Sequence, residues 1–289
     1  MKINAICVVK NEADIIEETL LNAMKFCHRI YLFDNHSDDG TWEIVQNMAV
    51  RFKQIVIAVR SDEAYRPQLR NRIYNMYHHL YDENDWWYIV NANELLHTSP
   101  RPLLEKALRA DKNRMDVWLA NFYFTDEDQR HHGLEDTRQT VTERRRFYRI
   151  NWREARFFKN DPCQKWPENI TACMPLWADK SYRKAPVCRH YAERSPEQMN
   201  TRNAGRANQT TRSVNTESCK ATDNLKQASK LHRYNKDGNF TFTTREKLHF
   251  YLKASLLRGQ GKIKSLASLF SRPEGSNKVE SAVHLTKGH

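Results

Sequence analysis

The stretch DWWYIVNANELL (85–96) runs from aromatic and aliphatic residues straight into Asn91, Ala92, Asn93 and Glu94. Oxygen-bearing side chains at alternate positions after an apolar run are a way to present donors to a hard cation and the phosphates it accompanies. Two of these three are amides, which can ligate through a carbonyl oxygen but contribute no charge. Three other polar clusters follow apolar runs: residues 10–12 (Lys-Asn-Glu), 34–41 (Asp-Asn-His-Ser-Asp-Asp-Gly-Thr) and 60–63 (Arg-Ser-Asp-Glu). A carboxylate such as Glu12 or Asp34 beside a strand end can accept hydrogen bonds from a ribose or a base. The competing reading of Ser37 to Thr41 is an ordinary turn that caps a helix.

The elements that must position these groups can be read from hydrophobic period. INAICVVK (3–10), RIYLFDN (29–35), IVIAVR (55–60) and WWYIVN (86–91) are short, apolar and rich in β-branched or aromatic residues, as buried parallel strands are. Between them, 12–27, 37–52 and 66–81 carry apolar residues at helical spacing, the last with Pro67 in its first turn. Strand–helix alternation predicts an α/β fold, a doubly wound and mostly parallel sheet flanked by helices. Ligands of such sheets bind beyond the carboxyl ends of the strands, and all four predicted ends carry the polar clusters.

After residue 100 the pattern loosens. A helix is predicted at 102–110 and a strand over 115–128 that ends in acidic residues. The polar stretch 129–145 reads as a loop or lid. RFYRINW, ARFFK and YRKAPVCRHY read as further strands, and SPEQMNTRNAGR as a helix capped by Ser195 with Pro196 first and Gln198 completing the box. Residues 245–259 and 262–270 read as basic amphipathic helices. The expected division is a catalytic domain over 1–207 and a basic, partly helical appendage over 208–289.

Residues 10–12 and 34–41 at this spacing resemble the family-two glycosyltransferases, in particular the branch with a K-N-E start and a D-N-x-S-x-D-G-T second strand. LRNRIYN (69–75) resembles the segment preceding that family's metal-binding strand, and Asn91 to Glu94 stand where the family usually has D-x-D-E. The likeness covers about residues 3–100, with a fainter echo in CRHYAERSPEQM (188–199).

The resemblance implies a GT-A fold and transfer of a sugar from a nucleoside diphosphate donor to an acceptor hydroxyl. By position, Glu12, Asp34 and Asn35 would hold the nucleoside, and Arg70 and Asn71 would steady the nucleotide. Asn91, Asn93 and Glu94 would sit at the diphosphate and metal, with His190 as a late ligand or phosphate contact. A lone His on a strand is as readily a structural residue.

With amides at 91 and 93, three outcomes stay open: Mn or Mg held weakly through Glu94, the donor and His190; a Lys or Arg in place of the cation; or a protein that binds nucleotide sugar without turning it over. The preferred reading is an active enzyme with weak or no metal dependence. An inverting transfer needs a general base, for which the candidates are Asp126, Asp128 and Glu168; a solvated turn is the plain alternative for each. The tryptophans are expected in the core, with Trp166 also placed to stack on a sugar.

Composition bounds these readings. The chain has 289 residues and 39% hydrophobic content, enough for a large core. Its apolar runs fall short of the roughly 18 residues that span a bilayer, and its start lacks a secretory pattern, so a cytoplasmic protein is expected. The six scattered Cys read as free thiols, mostly core filler, and exclude a patterned zinc site. Net charge is +12 and uneven: residues 190–289 hold 18 Lys and Arg against 8 Asp and Glu. That asymmetry suits an anionic partner. First choice is a glycan or lipid-linked acceptor at the inner membrane face, in lipopolysaccharide or surface polysaccharide synthesis. Nucleic acid is second, and a helical appendage that merely packs is the plain alternative.

Overall fold

The computed structural model describes residues 1–136, 138–169, 173–207, 225–235 and 239–241. Its chain order begins β1 (Ile3–Val9), α1 (Ile16–Met24), β2 (Arg29–Asp34), α2 (Thr41–Arg51), β3 (Ile55–Arg60), α3 (Leu69–Tyr77) and β4 (Trp86–Asn91). Next come β5 (Glu94–Leu96), α4 (Arg101–Arg109), β6 (Arg114–Tyr123), α5 (Asp126–His131), α6 (Val141–Arg144) and β7 (Phe147–Lys159). The described chain closes with β8 (Ser181–Tyr182), β9 (Val187–His190), α7 (Pro196–Ala207) and β10 (His232–Arg233).

One sheet runs β3-β2-β1-β4-β7-β6-β9-β5, with β10 beside β7 and β8 beside β6. The half made of β1 to β4 is parallel, as the alternation predicts. β7 then runs antiparallel to both β4 and β6, so the second half is mixed. The predicted RFYRINW and ARFFK strands are one 13-residue strand, β7.

Period-2 alternation sorts the apolar side chains onto two faces. Ile3, Ala5, Cys7 and Val9 of β1 and Trp86, Tyr88 and Val90 of β4 pack with Ile16 and Leu20 of α1, Val45 of α2 and Leu104 of α4. Ile6, Tyr31, Phe33, Trp87 and Ile89 face the opposite way, against Leu69, Ile73 and Tyr74 of α3 and against Trp166. Helices thus cover both faces, the doubly wound arrangement. Trp86 and Trp87 are wholly buried on opposite sides. The Trp87 indole donates to Asn160 Oδ1 at 2.8 Å, and Asn160 in turn donates to the carbonyls of His78 and Tyr81.

Three of the five described cysteines (Cys7, Cys27 and Cys188) are core thiols, whereas Cys163 and Cys173 are exposed. Burial pushes the Cys7 thiol up to about 12. Among the described residues no helix is long and apolar enough to cross a membrane. The predicted basic helices at 245–270 lie outside the described residues.

The described residues of the 129–145 stretch are tied down rather than free. Glu135 bridges Arg144 and Arg145, and Thr142 donates to Glu18 of α1 at 2.5 Å. The cap at α7 forms as expected at Ser195, whose Oγ accepts from Gln198 N at 3.2 Å. The Gln198 side chain reaches one residue further back than the capping box requires, to Arg194 N.

Candidate functional site

Register places the polar clusters on one edge. Asp34 lies beside Val9 and beside Arg60, and Asn91 beside Val8. Because β4 and β6 are both antiparallel to β7, they share a direction, and β9 is parallel to β6. His190 at the end of β9 therefore reaches the same edge, in register with Asn121 of β6 and with Glu94 of β5.

Two loops of this edge are stitched together. Asn11 and His36 both adopt left-handed backbone, φ +54 and +58, and Gly40 at φ +96 makes the turn into α2. Asn11 and Asp38 exchange hydrogen bonds, Asn11 Nδ2 to Asp38 Oδ1 at 2.7 Å and Asp38 N to Asn11 Oδ1 at 3.1 Å. Glu12 N donates to Thr41 Oγ1 at 2.8 Å. The K-N-E segment and the S-x-D-G-T turn are thus one platform, which is why both residue sets are needed together.

Asp34 sits at the centre of this platform and is wholly buried. Its Oδ2 accepts from Ser37 N at 3.1 Å and pairs with Arg60 Nε at 3.2 Å. Its Oδ1 is buried and has no hydrogen-bond partner among the described residues. A buried carboxylate oxygen without a donor carries a desolvation cost that a ligand N–H or O–H removes. Arg60 is itself braced, its guanidinium 4.3 Å from the Trp42 ring centre. Asn35, predicted to touch the nucleoside, instead donates to the carbonyls of Ser61 and Glu63 and so shapes the loop beside Asp34.

Glu12 is ion-paired with Arg194 at 2.6 Å. Arg194 is 1% exposed and also grips Asp14 through Nε and Nη2, at 2.8 and 2.9 Å. Burial alone would lower its pKa, but Glu12 and Asp14 outweigh that and raise it. The CRHYAERSPEQM segment therefore reaches the site through Arg194 as well as His190, and the motif alone does not show which carboxylates Arg194 pairs with.

The 91–94 cluster has a different character from the one its position suggests. Arg70 Nη2 donates to Asn91 Oδ1 at 2.9 Å. Asn91 Nδ2 donates to Glu94 Oε1 at 2.7 Å. Both Glu94 oxygens are taken by Arg156, Nε to Oε2 at 2.8 Å and Nη2 to Oε1 at 2.7 Å. Glu94 is 1% exposed. Burial raises its pKa, but the Arg156 charge and hydrogen bonds, with help from His190 and Asn91, overcome this and hold it below the usual carboxylate range. Asn93 is buried, and its carbonyl accepts from Tyr191 N, joining β5 to β9. His190 Nδ1 lies 2.7 Å from Asn121 Oδ1, so a neighbouring side chain orients the ring.

A divalent cation fits this donor set poorly. The Asn91 oxygen is spent on one guanidinium and the Glu94 oxygens on another. Among the described residues no group of three or more His, Cys, Asp or Glu is arranged to hold a metal ion. Of the three outcomes left open at 91–94, a cation held through Glu94 finds that carboxylate already paired with Arg156. Arg156 was legible only as an odd charge in the apolar run ARFFK.

The general-base candidates separate. Asp128 is the third residue of α5, where its Oδ2 accepts from Thr125 N and Oγ1 in a capping box, while Oδ1 pairs with Arg145 at 3.3 Å. Both oxygens are committed, so Asp128 is a cap. Asp126 Oδ1 accepts from Ala228 N at 2.7 Å and Glu127 N at 3.0 Å, fastening the 225–235 segment. Glu168 is exposed in a turn. That turn is held to α3 by Asn71 Nδ2 donating to Pro167 O and by Asn75 bonding Trp166 in both directions. Asn71 is therefore a brace, one residue from Arg70. Trp166 is 1% exposed and packs edge-on against Tyr74 and Phe158, so its ring is core and not a sugar platform.

No family model matches the sequence, and no curated protein does. Among solved structures, similarity is found to a mannosyltransferase from Pyrobaculum calidifontis in complex with GDP-Man and Mn2+, at 14% identity and TM-score 0.41, covering 93% of this chain and 79% of that one. A putative glucose-1-phosphate thymidylyltransferase from Bacillus anthracis gives 10% identity and TM-score 0.31, over 42% of this chain and 56% of that one. A mannose-6-phosphate isomerase from Helicobacter pylori gives 10% and 0.29, over 41% of this chain and 51% of that one.

Proposed function

We propose that the chain is a glycosyltransferase of the GT-A type, taking a sugar from a nucleoside diphosphate donor. The observation that carries this reading is Asp34: a wholly buried carboxylate at the carboxyl edge of a parallel sheet, with one oxygen held and the other lacking a donor. A nucleoside N–H or hydroxyl that reached this covered oxygen would supply that donor. Arg60 beside Asp34, and Arg70 of α3, which reaches Asn91 at the end of β4, supply positive charge for the phosphates on this reading. The motif likeness at residues 10–12, 34–41 and 69–75 supports the same assignment.

In the proposed reaction the acceptor oxygen attacks the anomeric carbon as the bond to the diphosphate breaks, and a base takes the acceptor proton. Glu168 is the candidate base that remains, since Asp126 and Asp128 are held in structural bonds. The acceptor is proposed to be a glycan or lipid-linked saccharide of surface polysaccharide or lipopolysaccharide synthesis. The positive charge of residues 190–289 supports contact with an anionic surface.

Calorimetry with UDP, GDP, CDP and dTDP tests the reading. At least one is expected to bind, and Asp34→Ala is expected to weaken that binding by tenfold or more. If none of the four binds to the folded protein, the reading is overturned. If one binds but no donor is hydrolysed or transferred across a broad acceptor panel, the protein is a nucleotide-sugar binder and the transferase assignment fails.

A further inference from the structure

We propose that Arg70, oriented by Asn91, is the built-in cation of the diphosphate site, so that the donor binds without a divalent metal ion. This rests on the nucleotide-binding reading above and deepens it.

The first part of the argument is occupancy. A metal at 91–94 would need oxygen lone pairs, and those oxygens already accept from Arg70 and Arg156. The amide's orientation is fixed by its neighbours. Arg70 can only donate, so the carbonyl oxygen faces it; ionised Glu94 can only accept, so the NH2 faces that side. A cation here would share the Asn91 and Glu94 oxygens with two guanidinium groups.

The second part is the state of Arg70. It is half-buried, and the one hydrogen bond of its guanidinium among the described residues goes to a neutral amide. No carboxylate pairs with it there, in contrast to Arg60, Arg156 and Arg194, each of which faces one. A guanidinium has five N–H donors and a planar fork that matches phosphate oxygens in pairs. Using one donor on Asn91 sets the plane and leaves the others for a ligand. The result is a fixed positive charge at the strand edge, in the place where the resembling family holds its metal.

The third part is the choice of amide over acid at position 91. An Asp there would neutralise Arg70 and repel Glu94 across the 2.7 Å contact that Asn91 Nδ2 now makes. The amide leaves the Arg70 charge uncompensated and available.

The test uses the nucleoside diphosphate that binds in the four-nucleotide screen, titrated into the full chain in EDTA and again in Mn2+ or Mg2+. The affinities are expected to agree within about threefold. Arg70→Ala is expected to weaken the diphosphate by tenfold or more in EDTA and to leave the affinity for the parent nucleoside unchanged, which also shows that the variant is folded. Asn91→Asp is expected to weaken diphosphate binding in EDTA and to recover part of it with Mn2+.

Binding that EDTA abolishes in the wild type overturns the proposal, as does an Arg70→Ala protein that binds diphosphate and nucleoside as the wild type does. Absence of any nucleotide binding under all conditions overturns the functional reading instead, so the two failures are distinguishable.

Discussion

Arg156→Met is the perturbation that tests the frame of the site most directly. Arg156 and Glu94 are 4% and 1% exposed, and the pair shares two hydrogen bonds of 2.7 and 2.8 Å. Met keeps most of the aliphatic volume and removes the charge. Glu94 is then a buried carboxylate supported mainly by Asn91 Nδ2. Removing one partner of a buried pair costs about 3–5 kcal/mol because the other charge is left uncompensated. Against a total of roughly 5–15 kcal/mol for a folded domain, this is a large share.

The assay is urea unfolding at pH 7 of the wild type, Arg156→Met, and Arg156→Met combined with Glu94→Gln. Glutamine keeps an acceptor for Asn91 and discards the charge, so the double variant is expected to recover more than half of the loss. The pH dependence has a definite sign. In the wild type the Glu94 pKa is depressed, so its contribution is fully present above the unfolded value of about 4.3 and is lost as pH falls through the lower folded value. In Arg156→Met burial, the largest cause, is opposed only by Asn91 and His190 and is expected to raise that pKa, so the variant regains stability as acid protonates Glu94. Both effects narrow the gap between the two proteins on acidification. A gap that is under about 1 kcal/mol at pH 7, or one that widens toward pH 4, refutes the reasoning.

Arg194→Met removes the partner of Glu12 and Asp14, which are 19% and 41% exposed as side chains and so partly solvated. It is expected to cost less than Arg156→Met, about 2–3 kcal/mol by the same urea assay; an equal or larger loss contradicts the ranking by burial. Trp166→Ala is expected to cost about 3–5 kcal/mol as a core cavity and to leave nucleotide affinity unchanged in the folded protein. Loss of donor or acceptor affinity without loss of stability would restore a stacking role for that ring. Thr125→Ala removes the α5 cap and is expected to cost about 1 kcal/mol with no effect on nucleotide binding.

The parallel half of the sheet was legible because its signals are local. Short apolar runs, buried almost throughout Ile3–Val9 and Trp86–Asn91, and helical spacing between strands need only neighbours in sequence. The platform of Asn11, Glu12, Asp38 and Thr41 was legible for a related reason: each half is a short motif, and the two halves sit at adjacent strand ends.

What sequence could not give is pairing across distance. Arg156 lies 62 residues from Glu94, and Arg194 lies 180 from Asp14. A lone Arg in an apolar run does not announce which carboxylate it will neutralise. Asp128 misled for the opposite reason. An acidic residue after an apolar strand suggests a catalytic edge, and the same Thr-x-x-Asp spacing also makes a capping box, which is what forms.

The amide at position 91 follows from this network. Three carboxylates at a strand edge repel one another and require a divalent cation to be held together. Here one carboxylate remains, Glu94, and Arg156 balances it. The residue between Glu94 and Arg70 must then donate on one side and accept on the other. Among side chains of this length an amide does both, whereas an ionised Asp can only accept. Asn91 thus transmits order from a neutralised buried pair to a cation that has no carboxylate partner among the described residues. Residues 91–94 themselves carry one negative charge, on Glu94, where a D-x-D-E set carries three, and Arg156, which Glu94 shares with Glu154, neutralises it. On the proposed reading, a diphosphate approaching this edge meets the Arg70 guanidinium, which has no carboxylate partner among the described residues.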